Sequence, residues 1–319
     1  MPDLHVDSTK DDSMRVAVMG AGAVGSFYGG LLARAGHSVV LIGRPDHVEA
    51  VERDGLRMQW ADGVEQVRLA ATTDPAGASG AEVVLVTVKS PDSHEVARQL
   101  APHLGPGTLV LSLQNGIDNA QRLAQAFAEH GAPADVVVIP VVVYVAVRLQ
   151  GAGHVRHLGG GRVIFGAGSR ADQLAELFEA VGSGVQIVPD IRGALWAKLV
   201  ANCVWNPLSA ITSQSYGQLA AVDGVARVVT DVVAECRAVA AAEGVAMPDD
   251  LDDQVRSLPA TMPHQLSSTQ QDLVKGRPTE IEYLNGYVVR RGHTLGVPTP
   301  VTGALAALVR ALDTTRHTH

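Results

Sequence analysis

The chain has 319 residues, of which 46% are hydrophobic and 18% are charged, and its formal net charge is −8 at pH 7. This apolar content is enough for a full core, and the length is typical of two domains at about 150 residues each. The acidic balance argues against a broad nucleic-acid-binding surface. Only Cys203 and Cys236 are present, which argues against a secreted disulfide framework. We therefore expect a cytoplasmic globular protein with no nucleic-acid partner.

Neither the start of the chain nor its longest apolar run indicates a membrane segment. Residues 1–13 are polar and acidic and contain no apolar stretch of the kind found in signal peptides, so we expect a loose extension there. The run Val136–Val147 contains a proline and is shorter than the roughly 20 residues that span a bilayer. We interpret it as a buried strand, with no membrane partner.

The first half of the chain alternates strand-like and helix-like segments. Its strand candidates are continuous apolar runs, which are typical of strands covered on both faces in a parallel sheet. The strands are predicted at Arg15–Met19, Ser38–Ile42, Val83–Val88, Thr108–Leu113 and Val136–Val147, with helices at Ala23–Ala35 and Asp118–Glu129. This rhythm predicts an α/β fold with an N-terminal doubly wound Rossmann-type sheet.

The pattern changes after about residue 145. The glycine-rich stretch Gly151–Gly168 contains short strand candidates at His154–His157 and Val163–Phe165, which we expect at the edge of the sheet. From Ile191 onward only helices are predicted, at Gly193–Ile211, Val222–Glu243, Leu266–Val274, Thr279–Leu295 and Val301–Leu312. We therefore expect a Rossmann-type domain over residues 14–190 and a second, all-helical domain over residues 191–315.

A glycine pattern of the form G-x-G-x-x-G lies between the first strand and the first helix. It occupies the segment Gly20-Ala21-Gly22-Ala23-Val24-Gly25. The first glycine permits a tight turn, the second lets a pyrophosphate approach the backbone, and the third lets helix and strand pack closely. The helix start adds free N–H groups for the phosphates. We interpret the segment as a dinucleotide-binding loop; the alternative is a glycine-rich turn with no ligand.

The end of the second strand indicates which dinucleotide is bound. Enzymes that use NAD usually have Asp or Glu there, whereas this chain has Gly43 and Arg44. A guanidinium can pair with the 2′-phosphate of NADP. We favour NADP over NAD, although Asp46 lies nearby and Arg44 could instead be an ordinary exposed arginine.

Two polar residues follow predicted strands at the edge where ligands bind in open α/β sheets. Lys89 follows Val83–Val88 and could meet the cofactor or a substrate anion. Asn115 follows Thr108–Leu113 and could hold the nicotinamide ribose or the substrate. The alternative is a solvated lysine and a turn asparagine, since Asn-Gly is a common turn pair.

In the helical half, Lys198, Asn202 and Asn206 are spaced four residues apart, which places them on one helix face. Pro207 should kink that helix directly after them. Reduction of a ketone needs a proton donor to the developing alkoxide, and a lysine can donate that proton and stabilise the charge. The alternative is a solvated helix face.

A second polar cluster extends from Ser267 to Gly286. Within it, Glu280 could orient the lysine or bind a substrate hydroxyl, and Ser268 could bind a substrate carboxylate. The alternatives are a helix cap for Ser268 and a surface charge for Glu280. The 12 histidines are scattered without metal-ligand spacing, so no metal site is expected.

Taken together, these motifs resemble the ketopantoate reductase family (2-dehydropantoate 2-reductases), over about residues 14–312. The resemblance depends on the order and joint presence of five segments: the glycine loop, Thr87-Val88-Lys89, Gln114-Asn115-Gly116, the stretch from Lys198 to Leu208, and the stretch from Ser267 to Gly286.

The resemblance implies NADPH-dependent reduction of a small-molecule 2-keto acid, 2-dehydropantoate, to pantoate in pantothenate biosynthesis. It implies that Lys198 is the general acid and that Glu280 lies at the substrate hydroxyl. The implied substrate-binding residues are Asn115, Asn202, Asn206 and Ser268, and the implied cofactor contacts besides the glycine loop are Arg44, Lys89 and Asn115.

Two departures from the family pattern leave the substrate open. Asp92 stands where the family often has Gln, and Thr269 stands where Met is common. Other hypotheses are an NADP-dependent reductase of another small keto acid, a β-hydroxyacid dehydrogenase, and a non-catalytic NADP-binding sensor. A homodimer is one assembly state that the sequence leaves open.

Overall fold

The computed structural model describes residues 13–168 and 170–316, so all but one residue of the expected N-terminal extension lies outside the described part. The chain forms two compact units. Unit 1 comprises the described residues up to Val88, with Asp92–Leu113 and Ala120–Ile187. Unit 2 comprises Lys89–Pro91, Gln114–Asn119 and the described residues from Val188 onward. The predicted division at residues 190/191 is contiguous, whereas these units are interleaved along the chain.

The strands, in chain order, are β1 (Arg15–Met19), β2 (Ser38–Ile42), β3 (Leu56–Gln59), β4 (Val64–Val67), β5 (Ala70–Thr72), β6 (Val83–Val86), β7 (Leu109–Ser112), β8 (Val137–Pro140), β9 (Val142–Gly151), β10 (His154–Gly166) and β11 (Val185–Val188). The α-helices are α1 (Ala23–Arg34), α2 (Pro45–Asp54), α3 (Ser93–Leu100), α4 (Asn119–Glu129), α5 (Ala171–Glu179), α6 (Ile191–Thr212), α7 (Tyr216–Ala220), α8 (Val225–Ala242), α9 (Leu251–Thr261), α10 (Ser268–Val274), α11 (Asn285–Leu295) and α12 (Pro300–Arg316).

The first sheet of unit 1 confirms the predicted Rossmann-type fold. Its six strands lie in the order β5-β2-β1-β6-β7-β8 and all neighbouring pairs are parallel. The strand order reverses direction between β1 and β6, and ligands of open α/β sheets bind outside the carboxyl ends of the strands at this point. The valine- and leucine-rich β6 and β7 are buried along their whole length, as their continuous apolar runs predict.

A second sheet in unit 1 corrects the expectation of extra strands at the edge of the first. It is a separate sheet in which β10 pairs with β9, β11 and β3, and β3 pairs with β4. The predicted strand Val136–Val147 is divided between the two sheets, as β8 and β9. Helix α1 contributes Phe27 and Tyr28 to the core that joins the sheets, together with Val143 and Phe165.

Unit 2 is helical from residue 191 onward within the described residues, as predicted. Helices α6 and α8 together provide most of its main core cluster, in which Trp196, Val200 and Val204 of α6 pack against α8. It continues through Pro207, which has no N–H to donate to the carbonyl of Cys203 one turn earlier. The side-chain Nδ2 of Asn285 donates to that carbonyl at 2.9 Å and so replaces the missing bond.

Candidate active site

The glycine loop joins β1 to α1, and two of its glycines are required by packing within unit 1. Gly20 has φ +105°, and a Cβ there would lie 2.7 Å from Cγ1 of Val88. A Cβ on Gly25 would lie 2.3 Å from the Gly20 oxygen and 2.5 Å from Oγ1 of Thr87. Thr87, directly after β6, donates from that hydroxyl to the Gly20 oxygen at 2.6 Å. Larger residues at either position would push the loop away from β6.

Gly22 is different, because a Cβ there would meet no atom closer than 3.9 Å. Protein packing therefore does not require a glycine at this position, whereas the close approach of a ligand to the backbone does. Gly22 is the N-cap of α1, and the first i→i−4 bond of the helix runs from Ser26 N to the Gly22 oxygen at 2.9 Å. The N–H groups of the first turn before Ser26 are the groups that bind phosphates at helix starts.

Arg44 lies two residues after β2, at the N-cap of α2. It is exposed and forms no ion pair with the residues that the structure describes. Gly43, just before it, packs against the glycine loop, since a Cβ on Gly43 would lie 2.7 Å from Cβ of Ala21. A guanidinium next to the loop is therefore available to a charged ligand in unit 1.

In unit 2, helix α6 has Lys198, Asn202 and Asn206 along one face, as their spacing predicts. Lys198 and Asn202 are half-buried, whereas Asn206 is only 2% exposed. The hydroxyl of Tyr216 lies 3.4 Å from Oδ1 of Asn206. Nδ2 of Asn206 has no hydrogen-bond partner within the described chain. A buried amide donor without a partner costs about 1–3 kcal/mol, so its retention is consistent with a ligand acceptor.

Glu280 lies directly before the 3₁₀ turn Ile281–Tyr283 and is buried, with 4% of its surface exposed. Its Oε1 accepts hydrogen bonds from the backbone N of Ser90 at 2.9 Å and from the hydroxyl of Ser90 at 2.8 Å. Its Oε2 lies 3.2 Å from Nζ of Lys89. The same Nζ lies 2.8 Å from Oδ2 of Asp272 on α10. Both oxygens of Glu280 are therefore held in fixed positions.

The charged residues of this cluster shift one another's pKa values. Burial lowers the pKa of Lys198 to about 8, and the Glu280 carboxylate opposes that shift. Burial alone would raise the pKa of Glu280, but the Lys89 ammonium and the Ser90 hydrogen bonds outweigh it and leave the pKa below its ordinary value. Burial raises the pKa of Asp272 more than Lys89 lowers it. Lys89 therefore contacts both carboxylates, and Lys198 lies within electrostatic range of Glu280.

The segment of Asn115 supports this cluster through its backbone. The oxygen of Asn115 accepts from Nδ2 of Asn119 at 2.6 Å and lies 3.1 Å from Oγ of Ser90. Gly116 follows with φ +111°, and a Cβ there would lie 3.2 Å from the Tyr283 oxygen. The Asn115 side chain is half-buried.

Ser268 is the first residue of α10 and is half-buried, and the alternative that it caps the helix is wrong. The N-cap is Ser267, whose hydroxyl accepts from Gln270 N at 3.0 Å and lies 3.2 Å from the Asn206 oxygen. Ser267 therefore fixes the start of α10 against α6.

The structure brings together Lys89, Lys198 and Glu280 in unit 2, with Asn115 on the segment that supports Ser90. The glycine loop and Arg44 belong to unit 1. Sequence reasoning missed two members of the cluster, Ser90 and Asp272. Asp272 stands four residues after Ser268, on the same face of a helix, which is the pattern that could have identified it.

Neither a metal-binding cluster nor a membrane-spanning helix occurs among the described residues. No group of three or more His, Cys, Asp or Glu in them could hold a metal ion. No helix among them is long and apolar enough to cross a membrane.

Comparison with known proteins identifies the family. The model of "Ketopantoate reductase PanE/ApbA" matches residues 16–170, and the model of its C-terminal part matches residues 190–313. The 2-dehydropantoate 2-reductase of Halobacterium salinarum is 36% identical over 304 residues, which cover 93% of this chain and 98% of that protein. A PanE/ApbA family ketopantoate reductase from Ralstonia eutropha has a TM-score of 0.90 at 48% identity, covering 95% of this chain and 100% of that one.

A second similar structure is the ternary complex of D-mandelate dehydrogenase with NADH and anilino(oxo)acetate. It has a TM-score of 0.86 at 25% identity and covers 95% of this chain and 100% of that one. A Rossmann-type unit with a glycine loop, a helical unit with a lysine–carboxylate cluster, and these similar proteins together indicate a nicotinamide-dependent oxidoreductase. Within that class, the chain belongs to the ketopantoate reductase family.

Proposed function

We propose that this chain reduces 2-dehydropantoate to pantoate with NADPH, in pantothenate biosynthesis. Its curated relatives named 2-dehydropantoate 2-reductase match over nearly their whole length. The observation that carries the proposal is the electrostatic interaction of Lys198, on the amide-lined face of α6, with the buried carboxylate of Glu280. A cytoplasmic location is part of the same proposal.

The cofactor is held by unit 1. The N–H groups that begin α1 bind the pyrophosphate, and Gly22 leaves the space that its approach requires. The exposed guanidinium of Arg44 pairs with the 2′-phosphate. When bound, NADPH supplies a hydride to the ketone carbon.

Lys198 supplies the proton. As the ketone carbon gains a hydride, its oxygen becomes an alkoxide and takes a proton from the Lys198 ammonium, which leaves a neutral amine that solvent then reprotonates. A pKa of about 8 keeps Lys198 mostly protonated at pH 7 and makes it a stronger acid than an ordinary lysine. Glu280 opposes further loss of that proton before the substrate arrives.

The amide-lined face of α6 orients the substrate. Nδ2 of Asn206 is a buried donor without a partner among the described residues, and a substrate carboxylate or hydroxyl is a suitable acceptor. Asn202 and Ser268 are half-buried and can donate to the same carboxylate. We assign to Asn115 a contact with the nicotinamide ribose of the cofactor or with the substrate. Ser90 and Lys89 both bind Glu280. In this position Glu280 orients Lys198 and lies at the substrate hydroxyl.

The likeness to D-mandelate dehydrogenase favours one second candidate, a reductase of another 2-keto acid. Asp92 and Thr269, the two departures from the family pattern, leave this second substrate open. Steady-state oxidation of NADPH and of NADH separates the candidates when it is followed with 2-dehydropantoate, phenylglyoxylate (the keto acid of mandelate) and acetoacetate. We expect the highest kcat/KM with NADPH and 2-dehydropantoate.

A preference for phenylglyoxylate would overturn the assigned substrate but keep the reaction type. A preference for the 3-keto acid acetoacetate would instead indicate a β-hydroxyacid dehydrogenase. NADPH binding without turnover of any of the three would indicate a sensor. Homodimerisation is a separate proposal, which analytical ultracentrifugation of the purified protein measures.

A further inference from the structure

A buried histidine links the glycine loop to the start of α2, and the proposed mechanism does not use it. His47 is 7% exposed and Ser26 is fully buried. Nε2 of His47 lies 3.0 Å from Oγ of Ser26, and that hydroxyl lies 3.2 Å from the backbone oxygen of Ala21 in the glycine loop. On the other side of the ring, Nδ1 lies 3.1 Å from the backbone N of Gly153.

Each hydrogen bond in this series, from Gly153 through His47 and Ser26 to Ala21, has a fixed direction. The backbone N–H of Gly153 can only donate, so Nδ1 of His47 accepts and the ring proton of the neutral imidazole is on Nε2. Nε2–H then donates to Ser26, and the Ser26 hydroxyl donates to the Ala21 oxygen. Burial lowers the pKa of His47, which keeps the ring in this neutral form.

The chain of bonds joins the two parts of unit 1 that are assigned to the cofactor. His47 lies in the first turn of α2, and its backbone N donates to the oxygen of Arg44, the N-cap, at 3.1 Å. The loop has an independent attachment, since the N–H groups of Gly20 and Ala21 both donate to the Ile42 oxygen. Without the histidine the loop would keep that attachment, whereas the start of α2 would lose its side-chain link to α1.

We propose that His47 is a positioning residue that sets the preference for NADPH over NADH, because it holds the start of α2, with Arg44 at its N-cap, against the glycine loop. The inference depends on the proposed use of NADPH. NADH presents its pyrophosphate to the glycine loop but has no 2′-phosphate for Arg44. Misplacement of α2 therefore weakens the binding of NADPH and leaves that of NADH nearly unchanged.

The test measures the Kd of NADPH and of NADH by nucleotide fluorescence for the wild type, H47F and S26A. His47→Phe keeps a planar aromatic ring, which is slightly larger, and removes both side-chain hydrogen bonds. Ser26→Ala removes only the middle hydroxyl, and so it remains informative where the larger change prevents folding. We expect each variant to raise the Kd of NADPH by about 3- to 10-fold, the range that one hydrogen bond contributes. The Kd of NADH should change less than about 2-fold, within the smallest effect of a hydrogen bond.

His37→Phe is the matched control. Nδ1 of His37 also accepts a backbone N–H, from Met14 at 3.2 Å, but His37 lies between the end of α1 and the start of β2. It should leave both Kd values unchanged. The double variant S26A/H47F should be no weaker in NADPH binding than the weaker single variant, because both changes break one chain of bonds.

Hydrogen exchange gives a readout that needs no cofactor. In the unliganded protein, H47F should speed amide exchange in residues 46–51 of α2 while leaving β1 protected. Equal losses of NADPH and NADH affinity, or an unchanged ratio of the two, would overturn the inference. If the wild type binds neither nucleotide, both the proposed function and the inference fail. If the wild type prefers NADPH and both variants keep that preference, only the inference fails.

Discussion

The ammonium of Lys89 lies 2.8 Å from the Oδ2 of Asp272, a residue 183 positions later in the chain. With Glu280 and Lys198, these residues form a cluster of two cations and two anions. Because its charges balance, the cluster does not present an excess negative charge to a substrate carboxylate. Lys89, expected at the cofactor, is thus also a structural partner of the two carboxylates.

The first prediction concerns the proton donor. Lys198→Ala should lower kcat by about 100- to 10,000-fold, the usual contribution of a positioned general acid. The Kd of NADPH should stay within about 2-fold, below the tenfold that corresponds to 1.4 kcal/mol. Stopped-flow turnover and fluorescence titration measure the two quantities. Lys275→Ala, an exposed lysine at the end of α10, is the control; turnover near that of the wild type in K198A would remove Lys198 from the chemistry.

The second prediction concerns pH. Because the reduction needs protonated Lys198, kcat/KM for the keto acid should fall as the pH rises through about 8. Glu280 raises the pKa of Lys198, so Glu280→Gln should move this basic limb to lower pH. Glu282→Gln, whose carboxylate pairs with Arg290 and Arg310, should leave the limb in place. If the basic limb of the pH profile moved equally in E280Q and E282Q, Glu280 would act through general electrostatics only.

The third prediction concerns cofactor choice. Arg44→Ala should raise the KM for NADPH by about 10- to 100-fold, because a hydrogen bond to a charged group contributes about 1.5–3 kcal/mol. The KM for NADH should change little. Arg57→Ala removes another exposed arginine of unit 1 and serves as the control. An equal rise for both nucleotides in R44A would argue against a contact with the 2′-phosphate.

The fourth prediction concerns stability. Glu280 is buried and accepts three hydrogen bonds, whereas Asp272 accepts one from the half-exposed Lys89. Glu280→Ala should therefore lower the free energy of unfolding by about 3 kcal/mol and Asp272→Ala by about 1 kcal/mol. Since the pKa of Glu280 is lowered in the folded state, its contribution is present at neutral pH and is lost as the pH falls below the ordinary value of 4.5. Urea unfolding at pH 7 and pH 4 measures both effects; a larger loss for D272A would contradict this order.

Local patterns were sufficient to predict the Rossmann-type sheet and the polar face of α6. The continuous apolar runs of β6 and β7 mark buried parallel strands, and the spacing from Lys198 to Asn206 requires only a helix. The four-residue strands β3 and β4 were missed because they are short and half-polar. The helix α9 was also missed; its first turn is acidic and Pro259 lies inside it.

Long-range partners could not be predicted, because no local period specifies them. The contacts of Lys89 with Asp272 and Glu280 join residues 183 and 191 positions apart. In the same way, Pro207 predicts a missing hydrogen bond in α6, but only the fold reveals that Asn285 replaces it. The roles of the site residues and the domain limits at 14–190 and 191–315 stay predictions.

Transfer of an isotopic label tests the central claim most directly. The protein is incubated with 2-dehydropantoate and with NADPH that carries deuterium at both C4 positions of the nicotinamide, and the product is analysed by mass spectrometry. We expect pantoate with one deuterium at C2, formed much more slowly by K198A. Consumption of NADPH without pantoate, or pantoate without deuterium, would contradict the central claim.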